Sequence, residues 1–350
     1  MPVLTRRWPQ LSEVNRLLSA FRGHLALRIA ILLQLACAAC ATSTPVVEDD
    51  PSAPPPPPPR AAPHPRLVLS HFYAWYGSPD GPARGWKHWN PALRHHGTTD
   101  TPQRGWYDSK DSATIAAQIG LARDAGIDGF ISSWWGAHGF DDEVVALLLQ
   151  EAERQHFSVT ILYEPARSSN QMREDLRYIL AHYATSPAWL RIDRRPVVFI
   201  YGRVTNQLRP SELASALQGL GLFSVADNMD PLKSAIVDGV ETYNPAGDVD
   251  GYIAALPAQR AAFNRRGKMY CASVVPGYDD RNVNTPGMRI DRAGGTIYER
   301  LWKAAAGADC VTISTWNEWH EGTEIEPSAE YGTSYVLRTR ALADSWRATP

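Results

Sequence analysis

The sequence contains few cysteines: four in 350 residues, at Cys37, Cys40, Cys271 and Cys310. Their spacing fits neither a disulfide framework nor a zinc-binding pattern, which excludes the small disulfide-rich folds and structural zinc modules. Cys271 and Cys310 both lie in apolar, strand-like runs, where a small buried thiol is the usual environment of a cysteine. We therefore expect these two residues to be free thiols and not partners in a bridge.

An excess of charge of either sign is also absent. Lys and Arg number 35 against 37 Asp and Glu, which gives a formal net charge of −2. This balance provides no positive field for a nucleic-acid backbone and no acidic tail, so we expect no nucleic-acid partner. With 44% hydrophobic residues the chain is able to bury a sizeable core, which excludes disorder for most of its length.

Apolar runs of membrane-spanning length are missing as well. The segment "IAILLQLACAACA" at 29–41 has thirteen residues, too few to cross a bilayer comfortably. Arg22, His24 and Arg28 precede it and small residues end it, as in a secretion signal. We expect export to the periplasm or cell surface, with three alternatives for processing: lipidation of Cys40, which would tether the protein to a membrane, simple cleavage after Ala41, or retention as a signal anchor.

A proline-rich segment follows the signal. Residues 42–66, "TSTPVVEDDPSAPPPPPPRAAPHPR", cannot bury a core and are expected to form a semi-rigid spacer. The sequence therefore predicts a signal segment at 1–41, a linker at 42–66 and one folded domain at 67–350, which we expect to be a monomer.

Within the folded domain, apolar runs rich in β-formers alternate with helix-patterned segments. The eight strand-like runs are 67–75, 126–135, 158–164, 196–202, 221–227, 235–244, 269–277 and 310–316. The helical segments are 111–125, 141–156, 171–184, 210–220, 256–266, 295–306 and 334–347. Near-continuous apolar strands alternating with helices predict a parallel sheet covered by helices, and eight of them fit a closed (β/α)8 TIM barrel. A doubly wound open sheet is the alternative, but "FYAWYGSPDG" after the first strand is not a glycine-rich phosphate turn.

Aromatic and polar residues follow almost every predicted strand. The strand ends read "FYAWYG", "SSWWG", "YEPAR", "YGR", "TYNP", "PGYDD" and "TWNEWHEG". The carboxyl ends of barrel strands meet at one face, where active sites of this fold lie. Any one of these rings is more simply explained by packing, but their agreement at seven ends favours a cleft in which rings stack on sugars.

Glutamates at these strand ends supply the chemistry that glycoside hydrolysis requires. Such a reaction needs one protonated carboxyl at the leaving oxygen and one ionised carboxylate. Glu318 and Glu321 are three residues apart, so a helical turn after the eighth strand would place both at the mouth, where crowding raises one pKa. Glu164 after the third strand is a further candidate, whereas Glu324 and Glu326 are expected to be more peripheral.

Two other hydrolytic chemistries fit the sequence poorly. Read as a truncated zinc motif, His320, Glu321 and Glu324 lack the second histidine four residues after the first, and Gly322 weakens the helix that the motif needs. A serine nucleophile would require a G-x-S-x-G elbow, which the sequence does not contain.

The motifs "FYAWYGSPDGPARGWKHWNP", "SSWWG", "YEP", "PGYDD" and above all "WNEWHEGTEIEP" make the chain resemble glycoside hydrolase family 99, the endo-α-mannosidase family, from about Leu67 to Trp346. The resemblance implies a retaining, endo-acting enzyme that cleaves α-mannose-containing oligosaccharides or polysaccharides and needs no metal and no cofactor. It also implies that Glu318 is the base that deprotonates the sugar 2-hydroxyl, giving a 1,2-anhydro intermediate, and that Glu321 is the acid/base at the glycosidic oxygen.

The same resemblance implies a set of substrate contacts. Motifs match at Tyr76, His88, Trp134 and Glu164, and strand position alone matches at Tyr201, Tyr243 and Tyr278. The residues of the last motif that complete the set are Asn317, Trp319 and His320.

The sequence departs from the family pattern in two places. Ala166 stands where the family usually has an aromatic residue, and the segment after "KHWNP" is compact. Two alternatives therefore stay open: a hydrolase of another α-linked bacterial polysaccharide, and a non-catalytic barrel that only binds glycans.

Overall fold

The structure of the protein is a computed structural model, and it describes residues 66–349. Eight parallel strands close into a barrel in the order β3-β2-β1-β8-β7-β6-β5-β4, with β3 paired to β4. The strands are β1 Leu67–Phe72, β2 Gly129–Trp134, β3 Ser158–Tyr163, β4 Arg195–Ile200, β5 Phe223–Asp227, β6 Gly239–Glu241, β7 Met269–Val274 and β8 Cys310–Ile313. The predicted (β/α)8 barrel is confirmed.

Helices surround the barrel and follow the predicted segments closely. They are α1 Ser112–Asp124, α2 Phe140–Gln155, α3 Ser169–His182, α4 Gly202–Gln207, α5 Pro210–Leu217, α6 Pro231–Ser234, α7 Val249–Arg265, α8 Thr296–Ala304 and α9 Ser334–Ala348. Local chemistry sets their ends; Asp111, for example, accepts the backbone N–H groups of Ala113 and Thr114 at the start of α1. The predicted start of one helix at Leu256 is wrong, because α7 already begins at Val249, where the Asp248 side chain caps it.

Two hydrophobic clusters explain why the strands are apolar on both faces. The outer cluster lies between strands and helices and includes Phe130, Trp134 and Ile161. The inner cluster fills the barrel and includes Leu69, Ile131 and Leu162. Since successive side chains of a strand point to opposite faces, each strand contributes to both clusters, and burial on both sides is what the near-continuous apolar runs reflect.

A disulfide joins Cys271 on β7 to Cys310 on β8, so the expectation of two free thiols is wrong. The two residues are direct partners in the parallel ladder, with their Cα atoms 4.5 Å apart. Both are fully buried inside the barrel. The pairing of β7 with β8 brings together two residues that are 39 positions apart in the chain. The sequence around either cysteine does not indicate this pairing.

Two short antiparallel hairpins were not predicted. One pairs Arg191–Ile192 with the start of β4, and the other pairs Tyr278–Asp279 with Arg289–Ile290 in the connection after β7. The second hairpin matters for the site, because it lies beside the loop that carries the two predicted catalytic glutamates.

The predicted signal at 1–41, and the predicted linker as far as residue 65, lie outside the described residues. Between residues 66 and 349, none of the helices combines the length and the apolar character needed to cross a bilayer.

Candidate active site

Glu318 and Glu321 lie in a tight turn directly after β8. The backbone N–H of Glu321 donates to the carbonyl of Glu318 at 3.3 Å, and Gly322 follows with a φ of +58°, which a glycine adopts without strain. The segment thus forms one hydrogen-bonded turn of four residues, where a helical turn was expected. Both carboxyls lie near the same three tyrosines, because the charges of Glu318 and Glu321 both raise the pKa values of Tyr73, Tyr243 and Tyr278.

Three other segments of the chain hold the backbone of this turn. Thr99 donates its N–H to the carbonyl of Trp319 at 2.9 Å, and Asp279 of the second hairpin donates to the carbonyl of Glu321 at 2.7 Å. Arg292 Nη2 reaches the carbonyl of Gly322 at 3.2 Å. The position of both carboxyls is therefore fixed by contacts far apart in sequence.

The electrostatic surroundings of Glu321 favour its protonated form. Burial raises the pKa of Glu321 to about 8, and the negative charges of Glu318, Asp280 and Glu164 add to the effect. At neutral pH Glu321 therefore carries a proton that it can give to a leaving oxygen. A protonated carboxyl of this kind is one of the two groups that glycoside hydrolysis requires.

Glu164 lies at the end of β3, close enough to Glu318 and Glu321 for their charges to interact. Ser133 donates its hydroxyl to Glu164 Oε1 at 2.5 Å, and Arg203 Nη2 lies 3.8 Å from Oε2. Burial raises the pKa of Glu164 to about 7; the Ser133 hydrogen bond and Arg203 oppose that rise, whereas Glu318 contributes to it. Three carboxyls thus share one low-dielectric space.

Several tyrosines lie close to these three carboxyls. The hydroxyl groups of Tyr73 and Tyr243 are hydrogen-bonded to each other, and the ring of Tyr201 meets Tyr243 edge-on, with 5.4 Å between centroids. Burial raises the pKa of both Tyr73 and Tyr243 well above the usual value, so both remain neutral hydroxyls. Sequence reasoning predicted Tyr201, Tyr243 and Tyr278 but missed Tyr73, which the strand period could have indicated because Leu69, His71 and Tyr73 alternate along one face.

The prediction for Trp134 needs correction. Its side chain is 0% exposed in the outer cluster, where the indole N–H donates to Asp142 at 2.7 Å. The next residue, Trp135, is 39% exposed instead. Trp135 lines a cleft of about 550 Å³ beside Glu164, together with Trp75, Lys87, His88, Phe140 and Asp141. The alternation of strand side chains placed the first tryptophan outside the barrel and left the second at its mouth.

Three further predicted substrate contacts are fully buried, and we assign them a supporting position. Tyr76 donates its hydroxyl to the backbone carbonyl of Asn317 at 3.0 Å. Asn317 pairs through its amide with both backbone groups of Tyr73, and Trp319 donates its indole N–H to Tyr107. Their polar side-chain atoms bond to protein, so these side chains have no surface to offer a sugar. They hold the turn that carries the glutamates.

His88 and His320 lie nearer the cleft. The His88 ring stacks on Trp75 at 4.3 Å between centroids and lines the cleft of Trp135. His320 is partly exposed and contacts Glu318.

Glu324 and Glu326, which were expected at the periphery, are instead buried behind the turn. Glu324 pairs with Arg292, and Glu326 accepts hydrogen bonds from Gln118 and Tyr107, both at 2.9 Å. The loop folds back into the protein after Gly322, because Ile325 and Glu326 donate their N–H groups to the carbonyls of Thr315 and Trp316. Within residues 66–349, no group of three or more His, Cys, Asp or Glu side chains is arranged to hold a metal ion.

The comparisons with known proteins agree with this geometry. The family model of glycosyl hydrolase family 99 matches residues 64–338. Glycoprotein endo-alpha-1,2-mannosidase of Mus musculus is 27% identical over 327 residues, covering 77% of this chain and 70% of that protein. The human glycoprotein endo-alpha-1,2-mannosidase-like protein is 25% identical over 310 residues, covering 73% of this chain and 67% of that protein.

A solved structure of similar fold supports the same assignment. The GH99 endo-alpha-mannosidase from Bacteroides thetaiotaomicron superposes with a TM-score of 0.72 at 26% identity, covering 80% of this chain and 97% of that one. The resemblance noted in the sequence is therefore confirmed. A closed barrel, a pair of glutamates after its eighth strand and a family match over most of the chain lead to one conclusion: the chain belongs to glycosyl hydrolase family 99 and is a glycoside hydrolase.

Proposed function

We propose that the protein is a retaining, endo-acting glycoside hydrolase that cleaves α-mannosidic linkages within mannose-containing glycans. The observation that carries the catalytic part is the state of Glu321, a protonated carboxyl that interacts electrostatically with Glu318, three residues away. The choice of mannose rests on the relatives, which are named as endo-α-mannosidases.

In the proposed first step, Glu318 removes the proton of the sugar 2-hydroxyl. The resulting oxygen attacks the anomeric carbon, the bond to the leaving oxygen breaks, and Glu321 gives its proton to that oxygen. The product is a 1,2-anhydro sugar.

In the second step, water opens this ring at the anomeric carbon. Glu321 takes the proton of the water, and Glu318 returns its proton to the 2-oxygen. Two inversions give net retention, and both glutamates end in their starting states.

The neutral tyrosines and the cleft of Trp135 suit a sugar chain that extends on both sides of the scissile bond. Aromatic faces bind the apolar faces of sugars, and Trp135 presents a partly exposed ring to this cleft. One observation favours a different α-linked polysaccharide: Ala166, close in sequence to Glu164, is a small exposed residue that leaves room for another sugar or substituent.

We also propose export to an oxidising compartment. The Cys271–Cys310 disulfide supports this location, since buried structural disulfides are characteristic of proteins that fold outside the cytoplasm.

The test is hydrolysis of defined α-linked manno-oligosaccharides by the full chain, with NMR identification of the anomer first released. Wild type should release a retained product from internal linkages. Glu318→Gln and Glu321→Gln should each lower kcat by about 10²- to 10⁴-fold, the usual contribution of general acid–base groups. Glu153→Gln, an exposed glutamate on α2, is the matched control and should retain full activity.

Three results would contradict the proposal. Release of the inverted anomer would exclude the 1,2-anhydro route. Full activity in either glutamate variant would exclude the assigned roles. Binding of the oligosaccharides by all four proteins without turnover by any of them would favour a glycan-binding barrel.

A further inference from the structure

His320 connects two parts of the site through its two ring nitrogens. Its Nε2 lies 3.0 Å from the backbone carbonyl oxygen of His88, and its Nδ1 lies 3.4 Å from Glu318 Oε1. The backbone N–H of His320 also donates to the same Oε1, at 3.2 Å. One oxygen of Glu318 is therefore approached twice by a single residue.

The contact with His88 fixes the position of one hydrogen. A carbonyl oxygen only accepts hydrogen bonds, so Nε2 of His320 carries a proton. The second nitrogen, Nδ1, then faces a carboxylate oxygen. At 3.4 Å the two atoms are within the range of a polar side-chain contact.

The opposite oxygen of Glu318 is in a different situation. Among residues 66–349 no protein donor contacts Oε2, whereas Oε1 has both the backbone N–H and the ring of His320. Oε2 is thus the oxygen that remains available to a substrate hydroxyl.

We propose that His320 is a positioning residue for the base: its backbone N–H and its ring occupy Oε1, so that Oε2 faces the sugar 2-hydroxyl. This inference rests on the proposed function, and it reassigns His320 from the substrate contact that the family resemblance implied.

The groups around His320 are consistent with this role. The rings packed near it are those of Tyr76, His88 and Trp89, with centroids 6.0 to 6.4 Å away. The pKa of His88 is lowered to about 4, mainly by burial and to a smaller extent by His320 and Lys87. His88 is therefore neutral at neutral pH. Tyr76 is also neutral, because burial raises its pKa well above the usual value. Glu318 is therefore the acidic group in contact with the imidazole.

The first experiment needs no substrate. The histidine side chains of the full-length protein are labelled with ¹⁵N, and the ring nitrogen signals of His320 are compared by NMR between wild type and Glu318→Gln at one pH. The Nδ1 signal should shift in the variant, because the atom that faces it is changed. Unchanged ring signals would overturn the proposal, whatever the enzyme hydrolyses.

The second experiment compares two variants that each preserve one donor. In His320→Asn the amide nitrogen can occupy the place of Nδ1, and in His320→Gln it can occupy the place of Nε2. Loss of the ring's polar contact with Glu318 should lower kcat of His320→Gln by about 10- to 100-fold, while His320→Asn should lose less. KM should change little in both.

His182→Phe is the matched control: His182 also contacts a backbone carbonyl and stacks on a tyrosine, Tyr178, but on the exposed face of α3. It should behave as wild type.

A raised KM with unchanged kcat would show that His320 only contacts substrate, and would overturn the proposal. Failure of the proposed function looks different: wild type would not hydrolyse the manno-oligosaccharides, while the NMR comparison would still report on the His320–Glu318 pair.

Discussion

Arg292 and Glu324 form an ion pair in the interior of the protein, where their side chains are 7% and 1% exposed. The guanidinium lies over the rings of Tyr331 and Tyr335, 4.3 and 4.6 Å from their centroids, and 3.5 Å from the carboxylate of Asp100. Burial raises the pKa of Glu324 well above its usual value, and the charge of Arg292 opposes this shift. The same Nη2 atom holds the carbonyl of Gly322, so this pair connects the packing behind the site to the glutamate turn.

Replacing Arg292 should therefore be costly. Arg292→Met leaves the Glu324 carboxyl buried without its partner, and we expect the free energy of unfolding to fall by about 3–5 kcal/mol, as when one partner of a buried pair is removed. Chemical denaturation measures the loss. The control is Arg300→Met, which breaks an exposed pair with Asp250 and should cost only about 0–1 kcal/mol. Equal losses in the two variants would contradict the structural role of Arg292.

The pH profile of hydrolysis should have its basic limb near pH 8. Glu321 must hold its proton to act as the acid, and its pKa is raised to about 8 by burial and by neighbouring carboxyls that include Glu164. Activity is therefore present below this pH and lost as pH rises through it. Glu164→Gln removes one of the charges that raise this pKa, so the basic limb of kcat should move to lower pH. A limb that stays in place would mean that the two carboxyls do not interact.

The disulfide should contribute substantially to stability. Cys271→Ala combined with Cys310→Ala should lower the free energy of unfolding by about 2–4 kcal/mol, the typical effect of a bridge that closes a loop of this length. Thermal and denaturant unfolding of the two proteins measure the difference. Both cysteines are fully buried, so a reductant should leave the folded wild type unchanged and destabilise only protein that is refolded in its presence. Equal unfolding midpoints for wild type and variant would contradict the contribution.

Replacing Trp135 should weaken glycan binding, whereas replacing its neighbour Trp134 should lower stability. Trp135→Ala removes an exposed ring from the cleft and should weaken binding of manno-oligosaccharides by about 3- to 10-fold, the worth of one aromatic contact, with little change in stability. Trp134→Ala empties the outer cluster and should cost about 3–5 kcal/mol of stability. Calorimetric titration and denaturation separate the two effects. Weaker binding in the folded Trp134 variant, with normal binding in the Trp135 variant, would reverse the assignment.

The barrel was predictable because its causes are local and repeated. Each strand is buried on both faces, which forces a run of apolar residues, and each helix has one buried side, which gives the sequence its second period. Glu164, Glu318 and Glu321 could be placed at the mouth for the same reason, since a parallel barrel presents every carboxyl strand end at one face. The family resemblance, carried by "WNEWHEGTEIEP", was the source of the catalytic roles predicted for Glu318 and Glu321.

Other features depended on which residues the fold brings together. Cys271 and Cys310 can form a bridge because the register of β7 and β8 makes them direct neighbours. Glu324 can be buried because Arg292, thirty-two residues away, pairs with its carboxylate. Side chains alternate between the two faces at the end of β2, so Trp134 points to the outer cluster and Trp135 lines the cleft. The contact of His320 with the carbonyl of His88 depends on a loop more than two hundred residues earlier.

The sequence by itself determined the closed barrel and the strand ends at which its acids stand, because apolar periodicity and strand direction are properties of short segments. Only the tertiary structure decided which buried side chains are partners, which oxygen of Glu318 is free and which cysteines are bonded. Those outcomes depend on distances between segments remote in the chain, and such distances are set by packing and register after the elements have assembled.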